Sequence, residues 1–335
     1  MSAHCFNRLV SASARRLAMP IAVYPGLALT HARVCDVVTN SQAQFDAQAA
    51  LHERYHTSFA LSAMDLSAEA EAFGSTIHFS ESEIPSVTGR LVTNLEQVRK
   101  LSVPQPGDRR TAVYLETVNR LSRLPEKPLA FGGCIGPFSL AARLAGMTEA
   151  MEWSMTEPDL MHALLEKCTT FLTAYVSAFR QAGADGVIMA EPAAGLLSPR
   201  SLSQFSSAYV KQIGAALTDG RFAIILHNCA ARLIHLPAVL ESGLSSFHFG
   251  APMDMAAALD RVPADVVLCG NLDPAGIFVQ STPAEITLQA GKLLAATSAR
   301  QNFVLSSGCD VPPNAPLASL DAFYVALKIM PVPRP

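Results

Sequence analysis

The run FAIILHNC, residues 222–229, decides how this chain is read. Five apolar residues in succession show neither the period of an amphipathic helix nor the alternation of a half-buried strand. They suit a strand covered on both faces, as in a parallel sheet. The run then ends in His227 and Cys229, with Asn228 between them. Residues two apart on a strand share a face, so the imidazole and the thiol converge on one point.

Runs of the same kind recur on both sides: MPIAVYP (19–25), SFALSA (58–63), PLAFGGCIGPF (128–138), GVIMAEP (186–192), SSFHFG (245–250), DVVLCGN (265–271) and NFVLSSGCD (302–310). Helical patterns lie between them at 159–183, 198–220, 282–300 and 316–329. Asp159 is a plausible cap of the first, Ser-Pro opens the second, and Glu285 stands where a capping box would want it. Eight strands, most followed by a helix, predict an α/β chain folded as a (β/α)8 TIM barrel. An open doubly wound sheet would call for a glycine-rich phosphate loop after an early strand, and FGGCIGPF does not fit GxGxxG. No linker or repeat divides the chain. Residues 1–335 are therefore expected to form one barrel domain with an N-terminal helical extension and an excursion at 75–127 over one end.

Half the residues are hydrophobic and 16% are charged, which favours a large core over disorder. The net charge of −3 comes without a long run of one sign, so neither nucleic acid nor an anionic membrane is expected as a partner. The basic spots Arg15-Arg16 and Arg109-Arg110 read as solvated surface. Seven cysteines at irregular spacing do not make a secreted disulfide framework. Residues 1–20 do not read as a signal peptide, and no apolar run approaches the ~20 residues of a membrane span. The expected location is the cytoplasm.

In a barrel of this kind chemistry sits at the carboxyl ends of the strands. Asp65, Glu191, His227, Cys229, His248, Asn271, Asp273, Cys309 and Asp310 all fall at or just after predicted strand ends. Cys309 follows Gly308, in a stretch free to bend inward. His227, Cys229 and Cys309 are the nitrogen and sulfur donors that zinc prefers, and three protein ligands with one open position describe a catalytic zinc site. Spacing alone leaves a second reading, in which the cysteines are small core residues and His227 is hydrogen-bonded core. Cys5, Cys35, Cys134, Cys168 and Cys269 keep that structural reading.

MDLSAEAEAFG (64–74), IPSVTG (84–89), ADGVIMAEP (184–192), LHNC (226–229), GNLDPAGIF (270–278) and SSGCDVPPNAPLASL (306–320) occur in an order that resembles the uroporphyrinogen decarboxylase superfamily. Within it, the His-x-Cys pair with a late cysteine is most similar to the zinc-dependent, cobalamin-linked methyltransferases. The resemblance implies a (β/α)8 barrel and zinc held by His227, Cys229 and Cys309. It also implies methyl transfer from a methylated corrinoid, carried by a partner protein, to a small thiol such as coenzyme M. A metal-held thiol loses its proton and becomes the nucleophile that takes the methyl group from cobalt.

Glu191 and His248 are candidates for a fourth ligand or for the acceptor of the thiol proton. Asp65 lies where the decarboxylase branch has its essential aspartate; it could orient substrate or fix a loop. Asn271 and Asp273 are candidates for contact with the cofactor. The decarboxylase branch carries early arginines that bind substrate carboxylates, whereas AVYPGLALTHAR (22–33) has none before Arg33. Three other readings stay open: a metal-free decarboxylase acting through Asp65, a barrel that only captures a ligand, and methyl transfer to homocysteine or a folate. The acceptor, the original methyl donor and the oligomeric state are not legible.

Overall fold

The computed structural model describes residues 4–329, so residues 1–3 and 330–335 of the expected 1–335 unit lie outside the described residues. The described strands are β1 (Phe59–Leu61), β2 (Thr76–His78), β3 (Ser86–Thr88), β4 (Leu129–Ile135), β5 (Gly186–Ala190), β6 (Ala223–Asn228), β7 (Ser246–Phe249), β8 (Val267–Leu272) and β9 (Phe303–Ser307). β2 and β3 form an antiparallel hairpin apart from the rest. The other seven make one curled sheet in the order β1-β4-β5-β6-β7-β8-β9, parallel at every joint. β5, β6 and β9 are buried at every residue, as unbroken apolar runs require of strands covered on both faces.

The expected strand at 19–25 does not form. It is reduced to one parallel bridge, Ala18 to Leu305, with Met19 N donating to Leu305 O at 2.9 Å. Pro20 has no N–H to continue the ladder, and Ile21 N turns instead to the Ser307 hydroxyl at 3.0 Å. Tyr24–Gly26 then winds into a 3-10 turn around Pro25. Side chains fill the seam between this segment and β1: Leu51 and Tyr55 from the helix Ser41–Tyr55, Leu320 and Tyr324 from the helix Leu317–Ile329. The Tyr55 and Tyr324 rings stack there with centroids 4.4 Å apart.

The N-terminal helix Cys5–Ala12 closes the opposite end of the barrel. Asn7 Nδ2 donates to Ser245 O at 3.0 Å and Asp265 O at 2.8 Å, just ahead of β7 and β8. Phe6 is fully buried against Phe59 and Phe131. The long helix spans Pro158–Gln181, so Asp159 lies inside its first turn and the N-cap position falls to Glu157, whose side chain makes no capping bond. Ser198 caps its helix by accepting from Ser201 N, and Thr282 does the same for Glu285 N. The Glu285 carboxylate accepts from Gln289 rather than closing a capping box. The 75–127 stretch holds the hairpin and the helices Leu95–Lys100 and Thr111–Leu121. Among the described residues no helix is long and apolar enough to cross a membrane.

Gly26 lets the 3-10 turn touch the helix Ser41–Tyr55: a Cβ at this position would lie 2.2 Å from Ala47 O. Backbone on both sides leaves little room to relax. Gly26→Ala is expected to lower unfolding stability by about 2 kcal/mol, read as a fall in the urea midpoint at unchanged slope.

Candidate metal centre

Strand parity sets which side chains face the barrel interior. A Cβ on Gly132 would lie 2.5 Å from Phe179 of the outer helix, so Gly132 faces outward. Register carries that face across Val187 to Ile224, which leaves Ile225 and His227 pointing inward. His227 pairs in register with His248 on β7. Cys229 follows β6 by one residue, and Cys309 follows β9 by two.

Two glycines let these strand ends close in on one another. A Cβ on Gly250 would lie 2.1 Å from Cys229 O, and one on Gly308 would lie 2.8 Å from Ala251 N. Gly308 N is itself held by Leu272 O at 2.5 Å.

The result is a compact donor cluster. One ligand atom each from His227, Cys229 and Cys309 lies within 4.8 Å of the other two. His227 is 1% exposed, and its Nε2 is buried with no hydrogen-bond partner among the described residues. A buried polar atom left alone costs about 1–3 kcal/mol, and such atoms call for an explanation. His227 Nδ1 is not alone, because it lies 2.8 Å from His248 Nδ1. The two thiols share a hydrogen bond. It draws the Cys229 thiol down to about 7. Cys309, bonded to Cys229 and buried, is pushed up to about 12. One imidazole nitrogen and two sulfurs suit a soft divalent metal such as zinc.

The other anticipated residues are placed differently. Glu191 is fully buried, and both of its oxygens are occupied. They accept from Phe138 N at 2.9 Å, Ser139 N at 2.8 Å, Ser139 Oγ at 2.6 Å and Ser206 Oγ at 3.1 Å. Asp65 is equally saturated. Its Oδ1 accepts from Ser67 N, Ser67 Oγ and Ala68 N, and its Oδ2 accepts from Tyr114 and the Arg110 guanidinium. Arg110 is thus not solvated surface; it is 7% exposed and also pairs with Glu71. His248 is fully buried, which pushes its cationic form well down, and its Nε2 lies 2.7 Å from Ser306 Oγ. Asn271 Nδ2 donates to Gly250 O and Met253 O, bracing the loop after β7. Asp273 Oδ1 accepts from Ala275 N and Gly276 N in a local turn.

Sequence reasoning gave Asp310 no role and passed over Tyr24 and Glu69, and the structure brings all three forward. Neither Asp310 oxygen has a partner, and burial holds its carboxyl well above the usual range. The Tyr24 hydroxyl is also buried without a partner, and the Asp310 charge raises its pKa further. Asp310 stands beside Cys309 in the quoted SSGCD run, whereas Tyr24 lies in the run taken for a strand. Glu69 is 3% exposed and accepts from Ile135 N at 2.9 Å. Burial raises its pKa to about 7.

Comparison with known proteins adds to this geometry. A family profile described as uroporphyrinogen decarboxylase (URO-D) matches residues 23–329. The chain is 29% identical over 297 residues to the methylcobamide:CoM methyltransferase MtbA of Methanosarcina acetivorans, covering 86% of each. It is 26% identical over 304 residues to a methylated-thiol–coenzyme M methyltransferase of Methanosarcina mazei, covering 88% of this chain and 79% of that one. A uroporphyrinogen decarboxylase of Ectopseudomonas mendocina is 27% identical over 267 residues, covering 77% and 74%. Among solved structures, a methyltransferase from Methanosarcina mazei superposes with a TM-score of 0.86 at 22% identity, over 98% of this chain and 99% of that one. That structure shares the fold.

The Glu69 shift has a pH signature. Its carboxyl is raised from 4.5 to about 7 on folding, so its contribution to stability is full below the unfolded value and is lost as pH rises through the folded one. Relative to Glu69→Gln, the parent is expected to lose on the order of 2–3 kcal/mol of stability between pH 4.5 and pH 8. Parallel stability–pH curves for the two proteins, measured by chemical denaturation, would refute the assignment.

Proposed function

Because the chain belongs to the uroporphyrinogen decarboxylase family, we propose that it is the family's metal-dependent kind of methyltransferase. In this reading it moves a methyl group from a methylated corrinoid, carried on a partner protein, to a small thiol of the coenzyme M type. The observation that carries the proposal is the cluster of a His227 ring nitrogen with two cysteine sulfurs, in which the ring's Nε2 is buried and has no hydrogen-bond partner among the described residues. Relatives named as corrinoid–thiol methyltransferases support it.

His227, Cys229 and Cys309 would hold zinc. Bound there, zinc supplies a Lewis acid that lowers the pKa of an incoming thiol and keeps it as thiolate at neutral pH. The protein's own residues do the rest. The two cysteines present sulfur to one side of the cavity. Glu191 anchors the start of the helix Pro137–Ala145 behind β4 and keeps that wall fixed. Asn271 and Asp273 shape the loops beside the mouth, on which the corrinoid protein would rest. A cytoplasmic setting fits free cysteines among the described residues.

The decarboxylase reading needs Asp65 free to meet a substrate. Its two oxygens already accept five hydrogen bonds from Ser67, Ala68, Tyr114 and Arg110, which makes it the buttress of the loop after β1.

Protein purified without chelators is expected to carry about one zinc per chain and to demethylate methylcobalamin when coenzyme M is added. Folded Cys229→Ser and Cys309→Ser variants are expected to lose both the metal and the demethylation, followed by elemental analysis and the corrinoid spectrum. Full activity in both variants, or in metal-free parent, would refute the proposal.

A further inference from the structure

Behind His227 runs an unbroken line of buried polar atoms. His227 Nδ1 lies 2.8 Å from His248 Nδ1, His248 Nε2 lies 2.7 Å from Ser306 Oγ, and Ser306 Oγ lies 2.5 Å from Met19 O. All three side chains are at most 1% exposed. The line contains no carboxylate and no cation.

The far end sets the direction of every bond. Met19 O is a carbonyl and can only accept, so the single Ser306 hydroxyl proton points to it. Ser306 Oγ is then left to accept, and His248 Nε2 must carry the proton that fills that bond. A neutral imidazole has one N–H, so His248 Nδ1 is an acceptor. The 2.8 Å contact therefore needs the proton on His227 Nδ1. The same logic leaves His227 Nε2 without a proton, and of the four nitrogens it is the one with no hydrogen-bond partner among the described residues.

We propose that Ser306 and His248 are positioning residues that lock His227 in the Nδ1–H tautomer and so aim its Nε2 lone pair at the space beside Cys229 and Cys309. The line ends on the one bridge that remains of the expected first strand, because Met19 N and O are both tied to β9. Met19 thus reaches the donor cluster through Ser306 and His248. The inference rests on reading that cluster as a metal centre, since a lone pair is useful there only toward an electrophile.

Two measurements test it. In metal-free parent protein, long-range nitrogen–proton spectra of the imidazoles are expected to show His227 protonated at Nδ1 and His248 at Nε2, the signals assigned by their loss in His227→Gln and His248→Gln. Ser306→Ala is expected to mix the tautomers and to weaken zinc binding about 10–100-fold in chelator competition, and Ser306→Thr, which keeps the hydroxyl, is expected to recover most of it. A proton on His227 Nε2 in the parent would overturn the proposal whether or not the variants fold. So would parental zinc affinity in Ser306→Ala. If the parent binds no zinc, the metal reading fails alone, and the imidazole spectra still decide the relay.

Discussion

A buried imidazole nitrogen with no hydrogen-bond partner among the described residues is the constraint on which the rest of this barrel mouth depends. His227 Nε2 is buried, and a ring nitrogen of His227 lies within 4.8 Å of the Cys229 and Cys309 sulfurs. The surrounding backbone is arranged to keep the nitrogen as it is. Parity across β4, β5 and β6 turns the side chain inward, and the close approach at Gly250 and Gly308 draws the ends of β6, β7 and β9 together.

The polar residues at the strand ends divide into two groups. Asp65 and Glu191 have both oxygens filled by hydrogen bonds, and Asn271 and Asp273 brace neighbouring loops, so all four hold the rim in shape. His227, Tyr24 and Asp310 hold buried polar atoms that have no partner among the described residues. Unsatisfied polar atoms are costly, and they persist where a ligand completes them. In the proposed reading the chemistry of this mouth lies with His227 and the two thiols beside it. Wider polar decoration of the barrel end serves to fix the walls.

Much of this was legible from residue order alone, for physical reasons. Apolar runs bounded by turn residues marked the positions of the seven sheet strands, and period-two alternation placed His227 and Cys229 on one face. Pro20 and Pro25 were visible inside the run at 19–25, yet apolar composition outweighed them in the strand reading. Whether a carboxylate is free or saturated could not be read, because its partners are distant in sequence. Arg110 lies 45 residues from Asp65, and Ser206 lies 15 from Glu191. Ser306 carried no signal at all: a serine at the end of an apolar strand reads as filler until Met19 and His248 are seen on either side of it.

The most direct test of the account is X-ray absorption at the zinc edge on the purified protein, before and after addition of a small thiol. The account predicts a first shell with two sulfurs and at least one imidazole nitrogen, gaining a third sulfur when the thiol is added. A shell made only of nitrogen and oxygen, or a sulfur count that the thiol leaves unchanged, would contradict it.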